Sequence, residues 1–375
     1  MSWLGARSER FDVVCYAPWA SSLFAQSDAE MRAAGTETQL LKLAGGLAER
    51  GLRVGMIVIG DALPHEAQGV RILPQPARKR SRGPRARAAL AAGALRSMGR
   101  VRTGVLVQSN AGATTAVAAL VARLRRARFV YLSASVMDFE FEAHEARSLN
   151  VRLYGWGIRR AWRIVVQNDE QDRLCRARFR REPVVIGSIA DPPGETATRP
   201  EAFLWVGRLQ EVKRPDAYLA LARAVPEARF RMLVVPQPGE LPDARSALEA
   251  AAQELPNLEL VEPRTRAGVV ELIARTVAVV NTSVREGLPN VFMEGWAQGV
   301  PALALSFDPD GLIARHGLGA FADGDPARFA EEARRLWEAR TDRAALAQRC
   351  IEYVRTEHDR DAILDRWVDA IVRAG

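Results

Sequence analysis

The polar residues best placed for chemistry lie between positions 281 and 301, in the segment NTSVREGLPNVFMEGWAQGVP. Glu286 precedes a helix that we expect to open at Pro289, and Glu294 follows about a turn and a half inside it. The two carboxylates can accept hydrogen bonds from ligand hydroxyl groups. Alternatively, Glu286 is a solvated acid of the loop, and Glu294 is a residue on the helix face that pairs with a neighbouring arginine. Unpaired N–H groups at such a helix start favour phosphate oxygens, and here they belong to Leu288, Asn290 and Val291, beside the permissive Gly287.

A second cluster of candidate residues lies in the segment FLWVGRLQEVKRP, which spans positions 203 to 215. Gly207, Arg208 and Lys213 come just past an expected strand, at its carboxyl end, where open α/β sheets bind ligands. Taken alone, Arg208 or Lys213 could equally be an ordinary surface residue. Together with a helix N-terminus, two cations can neutralise a diphosphate leaving group.

The elements that position these residues alternate between short apolar strands and longer amphipathic helices, which predicts parallel sheets covered by helices on both faces. A helix from about Thr36 to Arg50 separates the first two strands. The strand candidates are 11–17, 54–59, 104–107, 129–132, 164–166 and 184–186 in the first half, and 203–206, 231–235, 258–261, 278–281 and 302–305 in the second.

The chain is long enough for two cores, and we expect two Rossmann-like domains. The proline-rich stretch 190–200 is typical of an interdomain linker. This predicts an N-terminal domain over 1–190 and a C-terminal domain over 191–375. Amphipathic helices over 326–340, 342–356 and 361–373 are expected to brace the domains, with the last one packing back towards the N-terminal domain.

A resemblance to a known family rests on the two motifs taken together. Gly-Arg-Leu follows a strand with a lysine five residues after the arginine, and Glu-Gly-Leu-Pro-Asn-Val follows with a second glutamate eight positions after the first. This order resembles the retaining glycosyltransferase family 4, group 1 glycosyltransferases with the GT-B fold, in which two parallel-sheet domains face a central cleft. The likeness is close over 203–301 and looser before it.

The resemblance implies that the domain over 1–190 binds the acceptor and that the domain over 191–375 binds the nucleotide sugar. It also implies a role for each motif residue. Arg208 and Lys213 would bind the donor diphosphate, Glu286 would lie beside the transferred sugar, and Glu294 would hold the ribose. Residues after the third strand of the same domain would bind the base, and these are Pro263, Arg264 and Thr265; Glu262 and Arg264 read equally well as solvated turn residues.

The N-terminal half departs from the family pattern in two places. Gly35 and Thr36 precede the first long helix where the family carries a Gly-Gly-x-Glu loop, but Ala34 replaces the first glycine, so an ordinary helix cap is the alternative. The family histidine after the central strand is absent. Either Ser133, Ser135 or Asp138 lines the site in its place, or the motifs align differently there.

Composition and the N-terminal residues bear on the cellular compartment and on membrane-spanning segments. The formal net charge is +8 and the three cysteines are far apart, which suits reduced thiols in a cytoplasmic protein. The N-terminus lacks the apolar core of a secretory signal, and no run reaches the ~18 apolar residues of a membrane span.

The four histidines have no metal or nucleophile spacing, and Asp308-Pro309-Asp310 is interpreted as a turn. We therefore expect no metal and no cofactor beyond the donor substrate.

Much of the positive charge lies between Arg78 and Arg102, without any acidic residue. The segment 78–87 is typical of peripheral contact with an anionic membrane, where the apolar helix candidate 88–98 could lie in the interface, or of a solvated loop. The missing aromatic residues disfavour nucleic acid. A lipid-linked sugar or a growing polysaccharide is the acceptor that this suggests.

The function that the resemblance and the basic segment together imply is transfer of a hexose or N-acetylhexosamine from a UDP- or GDP-linked sugar to a glycan or lipid-linked acceptor, in bacterial cell-envelope or exopolysaccharide synthesis. Family resemblance implies retention of configuration, with the leaving phosphate taking the acceptor proton. Two alternatives remain. A nucleotide-sugar epimerase would need acid–base groups around the sugar, and a noncatalytic protein binding anionic surfaces would fit the charge and the imperfect glycine loop.

Overall fold

The structure is a computed structural model, and it describes residues 9–24, 35–76, 84–109, 111–141, 148–194, 199–236, 242–262 and 266–373. The chain divides into two compact units. The N-terminal unit combines the residues up to Ile189 with the C-terminal segment that begins at Asp361, and the C-terminal unit includes Ala190–Arg360. Each unit is built on its own sheet, and the α/β fold class is confirmed.

The sheet of the N-terminal unit has eight strands in the order β3-β4-β2-β1-β5-β6-β7-β8, parallel except for the β3–β4 pair. Helices precede β2, β5, β6, β7 and β8 in the chain. The strands are β1 Arg10–Tyr16, β2 Val54–Ile59, β3 Glu66–Ala67, β4 Val70–Gln75, β5 Arg102–Gln108, β6 Arg128–Leu132, β7 Arg163–Val166 and β8 Val184–Val185; the helices are α1 Gly35–Glu49, α2 Pro84–Arg100, α3 Ala113–Arg125, α4 Leu149–Ile158 and α5 Asp169–Phe179.

The sheet of the C-terminal unit has six strands in the order β11-β10-β9-β12-β13-β14, all parallel. Its strands are β9 Ala202–Gly207, β10 Phe230–Val234, β11 Leu258–Val261, β12 Thr276–Asn281, β13 Ala302–Ala304 and β14 Gly319–Phe321; its helices are α6 Pro215–Ala224, α7 Pro242–Gln253, α8 Arg266–Ala274, α9 Asn290–Ala297, α10 Leu312–His316, α11 Pro326–Glu338 and α12 Ala344–Glu357. Helix α13, Arg360–Val368, closes the chain and packs Leu364 against Gly46 of α1.

Apolar clusters lie on both faces of each sheet, as alternating strands and helices require. In the N-terminal unit, α1 and α13 cover one face, and α2 to α5 cover the other. In the C-terminal unit, α6 and α11 lie on one face and α9 and α12 on the other. Each sheet is therefore a buried layer, and its loops at the carboxyl ends of the strands are left to carry polar side chains.

Three local features add to what the sequence predicted. The segment 70–75 forms strand β4 although it contains Pro74. The segment 308–319 contains α10 and the first residue of β14. The helix expected over 88–98 is part of α2, which buries Ala94 and Met98 in the protein core and exposes Leu95 and Arg96.

Candidate functional site

The site begins at β12, whose six residues are all buried, so that its polar continuation emerges at the carboxyl edge of the sheet. The Oδ1 of Asn281 accepts a hydrogen bond from the N–H of Ser283 at 2.9 Å, which turns the chain just past the strand. Thr282 and Ser283 are buried as well. The turn that leads to Glu286 is therefore held by its own side chains.

Helix α9 follows this turn and starts one residue later than the sequence suggested. Pro289 is its N-cap residue, with φ −60° and ψ 122°, and no side chain caps the helix. The N–H of Phe292 is bonded to the carbonyl of Pro289 at 3.0 Å, so Asn290 and Val291 supply the first helical N–H groups. These groups mark the positive end of the helix dipole, as expected for an anion site.

The position of α9 against the sheet depends on its small and aromatic residues. A Cβ on Gly295 would lie 3.0 Å from the Cγ2 of Val279 in β12, so glycine permits the close approach. Phe292 and Trp296 are fully buried on the same side, and the Trp296 indole N–H donates to the carbonyl of Leu318 at 3.1 Å. The helix start cannot move freely relative to the strand.

Lys213 lies beside Glu286, which joins the two sequence motifs at one place. Its Nζ donates to the Oε1 of Glu286 in an ion pair whose side chains are 26% and 16% exposed. The Oγ of Ser283 donates to the same carboxylate oxygen at 2.8 Å. This half-buried pair is less screened by water than a surface salt bridge.

A relay of two hydrogen bonds fixes the backbone that carries Lys213. The indole N–H of Trp205 in β9 donates to the Oγ1 of Thr282 at 3.0 Å, and that hydroxyl donates to the carbonyl oxygen of Lys213 at 2.6 Å. The N–H of Val284 also reaches the carbonyl of Val212 at 3.0 Å. This relay was not predicted from the sequence. The one sequence feature that points to it is the polar pair Thr282 and Ser283, which follows the buried strand β12.

Gly207 ends β9, and Arg208 is half-buried at the next position. A Cβ on Gly207 would lie 2.7 Å from the Trp205 ring, so the glycine makes room for the indole. Among the residues that the structure describes, the Arg208 side chain has no ion-pair or hydrogen-bond partner. A half-buried guanidinium in this position can donate to an incoming anion.

The other candidate residues of the C-terminal unit fall in two groups. Gly287, Leu288 and Pro289 are buried in the turn, and Glu294 is half-buried within α9. The base-binding candidates Arg264 and Thr265, with Pro263, lie outside the described residues.

The N-terminal candidates belong to a different unit. Gly35 and Thr36 form the first turn of α1. Asp138 is buried under a short turn, where its Oδ2 accepts hydrogen bonds from the hydroxyl of Ser133 at 3.0 Å and the N–H of Ala134 at 2.8 Å. Burial raises the pKa of this carboxyl. The carboxylate of Asp138 therefore stabilises the turn that follows β6.

Among the described residues, no group of three or more histidine, cysteine, aspartate or glutamate side chains could hold a metal ion. The Asp308 carboxylate accepts hydrogen bonds from the N–H groups of Ile313 at 2.8 Å and Ala314 at 3.1 Å, so it caps α10. Within the described residues, no helix has the length and apolar character needed to cross a bilayer.

Residues 200–339 match the family model for glycosyl transferases group 1. The sucrose-phosphate synthase of Thermosynechococcus elongatus superposes with a TM-score of 0.76 at 14% identity, covering 95% of this chain and 97% of that one. Anabaena HepE, in complex with UDP and glucose, gives 0.72 at 15% identity, covering 96% and 99%.

A third structure is WaaG, a glycosyltransferase involved in lipopolysaccharide biosynthesis, with a TM-score of 0.67 at 16% identity and coverage of 97% and 100%. These TM-scores show a shared fold, and the family match covers the residues that carry Lys213, Glu286 and α9. The chain thus has the GT-B fold, and residues 200–339 of its C-terminal unit match the group 1 glycosyltransferases.

Proposed function

We propose that this chain is a retaining, metal-independent glycosyltransferase of family 4. It moves a hexose or N-acetylhexosamine from a UDP- or GDP-linked donor to a glycan or lipid-linked acceptor. The observation that carries the proposal is the meeting of Lys213 and Glu286 beside the uncapped start of α9. A cation, a carboxylate and a helix N-terminus at one sheet edge suit a diphosphate joined to a sugar.

In the proposed reaction, the acceptor hydroxyl forms a bond to the anomeric carbon while the bond to the diphosphate breaks. Negative charge then grows on the leaving phosphate. Arg208, Lys213 and the first N–H groups of α9 would stabilise that charge, so no metal is required. The leaving phosphate takes the acceptor proton, and attack on the face that it leaves retains the anomeric configuration.

Glu286 would hold hydroxyl groups of the transferred sugar, and Glu294 those of the ribose. The ion pair with Lys213 holds Glu286 in place, while Ser283 fixes its orientation. Arg264 and Thr265 remain the proposed contacts to the base, and Gly35 and Thr36 the proposed contacts from the N-terminal unit. We place the reaction in the bacterial cytoplasm, at the inner face of the membrane, in envelope or exopolysaccharide synthesis.

The experiment that tests this mechanism is proton NMR of the sugar released from the cognate donor by slow hydrolysis, with and without EDTA. Retention predicts that the first sugar formed has the anomeric configuration of the donor, at an unchanged rate in EDTA. An inverted first product, or loss of activity in EDTA, would refute the retaining or the metal-independent part respectively. An epimer of the intact donor would point to an epimerase.

A further inference from the structure

An unusual surface lies on the helices that cover one face of the N-terminal sheet. Four leucines on α2, α3 and α4 are strongly exposed: Leu95 by 44%, Leu120 by 40%, Leu124 by 70% and Leu149 by 69%. Single exposed leucines are ordinary, but several on neighbouring helices mark an interaction site.

These three helices form one continuous layer. All of them contribute buried residues to the same apolar cluster against the sheet, with α3 between α2 and α4. The Arg125 guanidinium donates to the carbonyl of Gly99 and ties α3 to α2. A Cβ on Gly157 would lie 2.6 Å from the carbonyl carbon of Thr115, so glycine lets α4 press against α3. The exposed leucines therefore project from one layer, away from the core.

The same layer is strongly basic. The sequence has no aspartate or glutamate between Glu66 and Asp138, a stretch that includes α2 and α3, and α4 has none. On the same face of the sheet, acidic residues follow in the next helix, α5, whose first turn has Asp169, Glu170 and Asp172; on the opposite face, Arg50 pairs with Asp361 and Asp365. The exposed arginines of the layer are Arg85, Arg87, Arg96, Arg100, Arg123, Arg125, Arg126, Arg152, Arg159 and Arg160.

Helix α4 shows how the two residue types alternate. Leu149 and Arg152 are exposed on α4 and Trp156 is half-buried there, while Arg160 follows the helix end with its guanidinium 4.1 Å from the centre of the Trp156 ring. An aromatic ring with a cation beside it suits the boundary between the acyl chains and the headgroups of a lipid bilayer. We refer to the four leucines, Trp156 and the ten exposed arginines as the leucine–arginine surface.

We propose that the leucine–arginine surface docks on an anionic phospholipid bilayer. The leucines would enter the boundary between headgroups and acyl chains, while the arginines bind lipid phosphates. A second copy of the chain would bring like charges together, and a nucleic acid would leave the leucines in water. This surface extends the basic segment 78–102 onto two further helices, and it does not depend on which sugar is transferred.

The test is co-sedimentation of the native chain with vesicles of equal parts phosphatidylglycerol and phosphatidylcholine, against vesicles of phosphatidylcholine alone. We expect binding to the anionic vesicles that weakens as salt is added. Leu120→Ser/Leu124→Ser should weaken binding roughly tenfold. Arg96→Glu/Arg123→Glu should weaken it about 30-fold, since each cation near the surface contributes.

A matched control has the same change of net charge elsewhere. Arg199 and Arg328 are exposed in the C-terminal unit, and Arg199→Glu/Arg328→Glu should bind vesicles like the native chain. Equal loss in this control, or no preference for anionic vesicles, would overturn the proposal. So would tighter binding to duplex DNA than to vesicles, or a dimer that the leucine variant abolishes.

A second readout uses the burial of all three native cysteines. An environment-sensitive dye on Leu124→Cys should shift to the blue when anionic vesicles are added. The same dye on Ser246→Cys, an exposed position of α7, should not. Equal shifts at both positions would show unspecific adsorption and contradict the assignment, and donor binding measured on both labelled proteins keeps this result separate from transferase function.

Discussion

Lys213 and Glu286 form an ion pair across 73 positions of the chain, with the lysine Nζ donating to the glutamate Oε1. The same oxygen accepts the hydroxyl of Ser283 at 2.8 Å. The pair joins the loop after β9 to the turn after β12, which are neighbouring strands of the C-terminal sheet. The proposed diphosphate and sugar contacts are therefore mechanically connected, and each can be tested through the other.

Replacing the carboxylate of Glu286 should separate donor binding from transfer. Glu286→Gln keeps the size of the side chain but removes the charge partner of Lys213. We expect nucleoside diphosphate binding to change less than about threefold, while kcat falls by about 10² to 10³ because a group facing the sugar is lost. Steady-state kinetics and nucleotide binding measure the two effects. A proportional loss of both would contradict separate roles.

The relay through Thr282 should matter for stability and for positioning. Thr282→Val leaves the Trp205 N–H and the Lys213 carbonyl without their buried partner, which costs about 1–3 kcal/mol. We expect a lower melting temperature and a raised KM for the donor. Thr282→Ser retains the hydroxyl and should behave like the native chain; a loss in Ser as large as that in Val would contradict the assignment of the effect to the relay.

Gly207 should not tolerate a side chain. Gly207→Ala would place a Cβ 2.7 Å from the Trp205 ring, so either the indole or the loop carrying Arg208 must move, at about 1–3 kcal/mol. Weaker donor binding and altered tryptophan fluorescence are expected. Gly99→Ala is the matched control, because its Cβ would meet nothing within 4 Å, and helix propensity predicts unchanged or slightly higher stability. Equal effects in both variants would contradict the packing argument.

Thiol reactivity should follow burial. Burial raises the pKa of Cys15, Cys175 and Cys350 from 9.0 to about 12. The native chain should therefore react with none of its thiols at about pH 8, and with all of them once denatured.

The same shifts predict a loss of stability in alkali. Below the unfolded pKa of 9.0, both states are protonated and no stability is lost through the thiols. From there towards about pH 12, the unfolded chain ionises first, so unfolding becomes easier as pH rises. Melting curves at a series of alkaline pH values measure this trend, and Cys15→Ala should reduce it. A melting temperature that stays flat between these pH values would contradict it.

Much of the fold follows from sequence patterns. The strand pattern locates most strands to within a residue or two, because parallel strands buried on both faces are continuous apolar runs. Strands β3, β4 and β14 were not predicted; β4 contains Pro74, and β3 and β14 have only two and three residues. The GT-B fold predicted from the two motifs is confirmed.

The site was harder to predict in detail. Two loops at the carboxyl ends of adjacent strands must approach each other, so the nearness of the two motifs followed from topology. The Trp205–Thr282–Lys213 relay did not, because hydrogen bonds between distant positions leave no local signal. The leucine–arginine surface was predicted only in its α2 part, since its leucines on α3 and α4 look like ordinary helix residues until their exposure is known.

Calorimetric titration of the native chain with UDP, GDP, ADP and TDP and their common sugar conjugates tests the central claim most directly. We expect micromolar binding of one nucleotide family, weakened at least tenfold in Lys213→Ala and unchanged in Arg328→Ala, whose side chain is exposed on α11. Binding that survives in Lys213→Ala would place the donor elsewhere. No binding of any nucleotide or conjugate would contradict the transferase account itself.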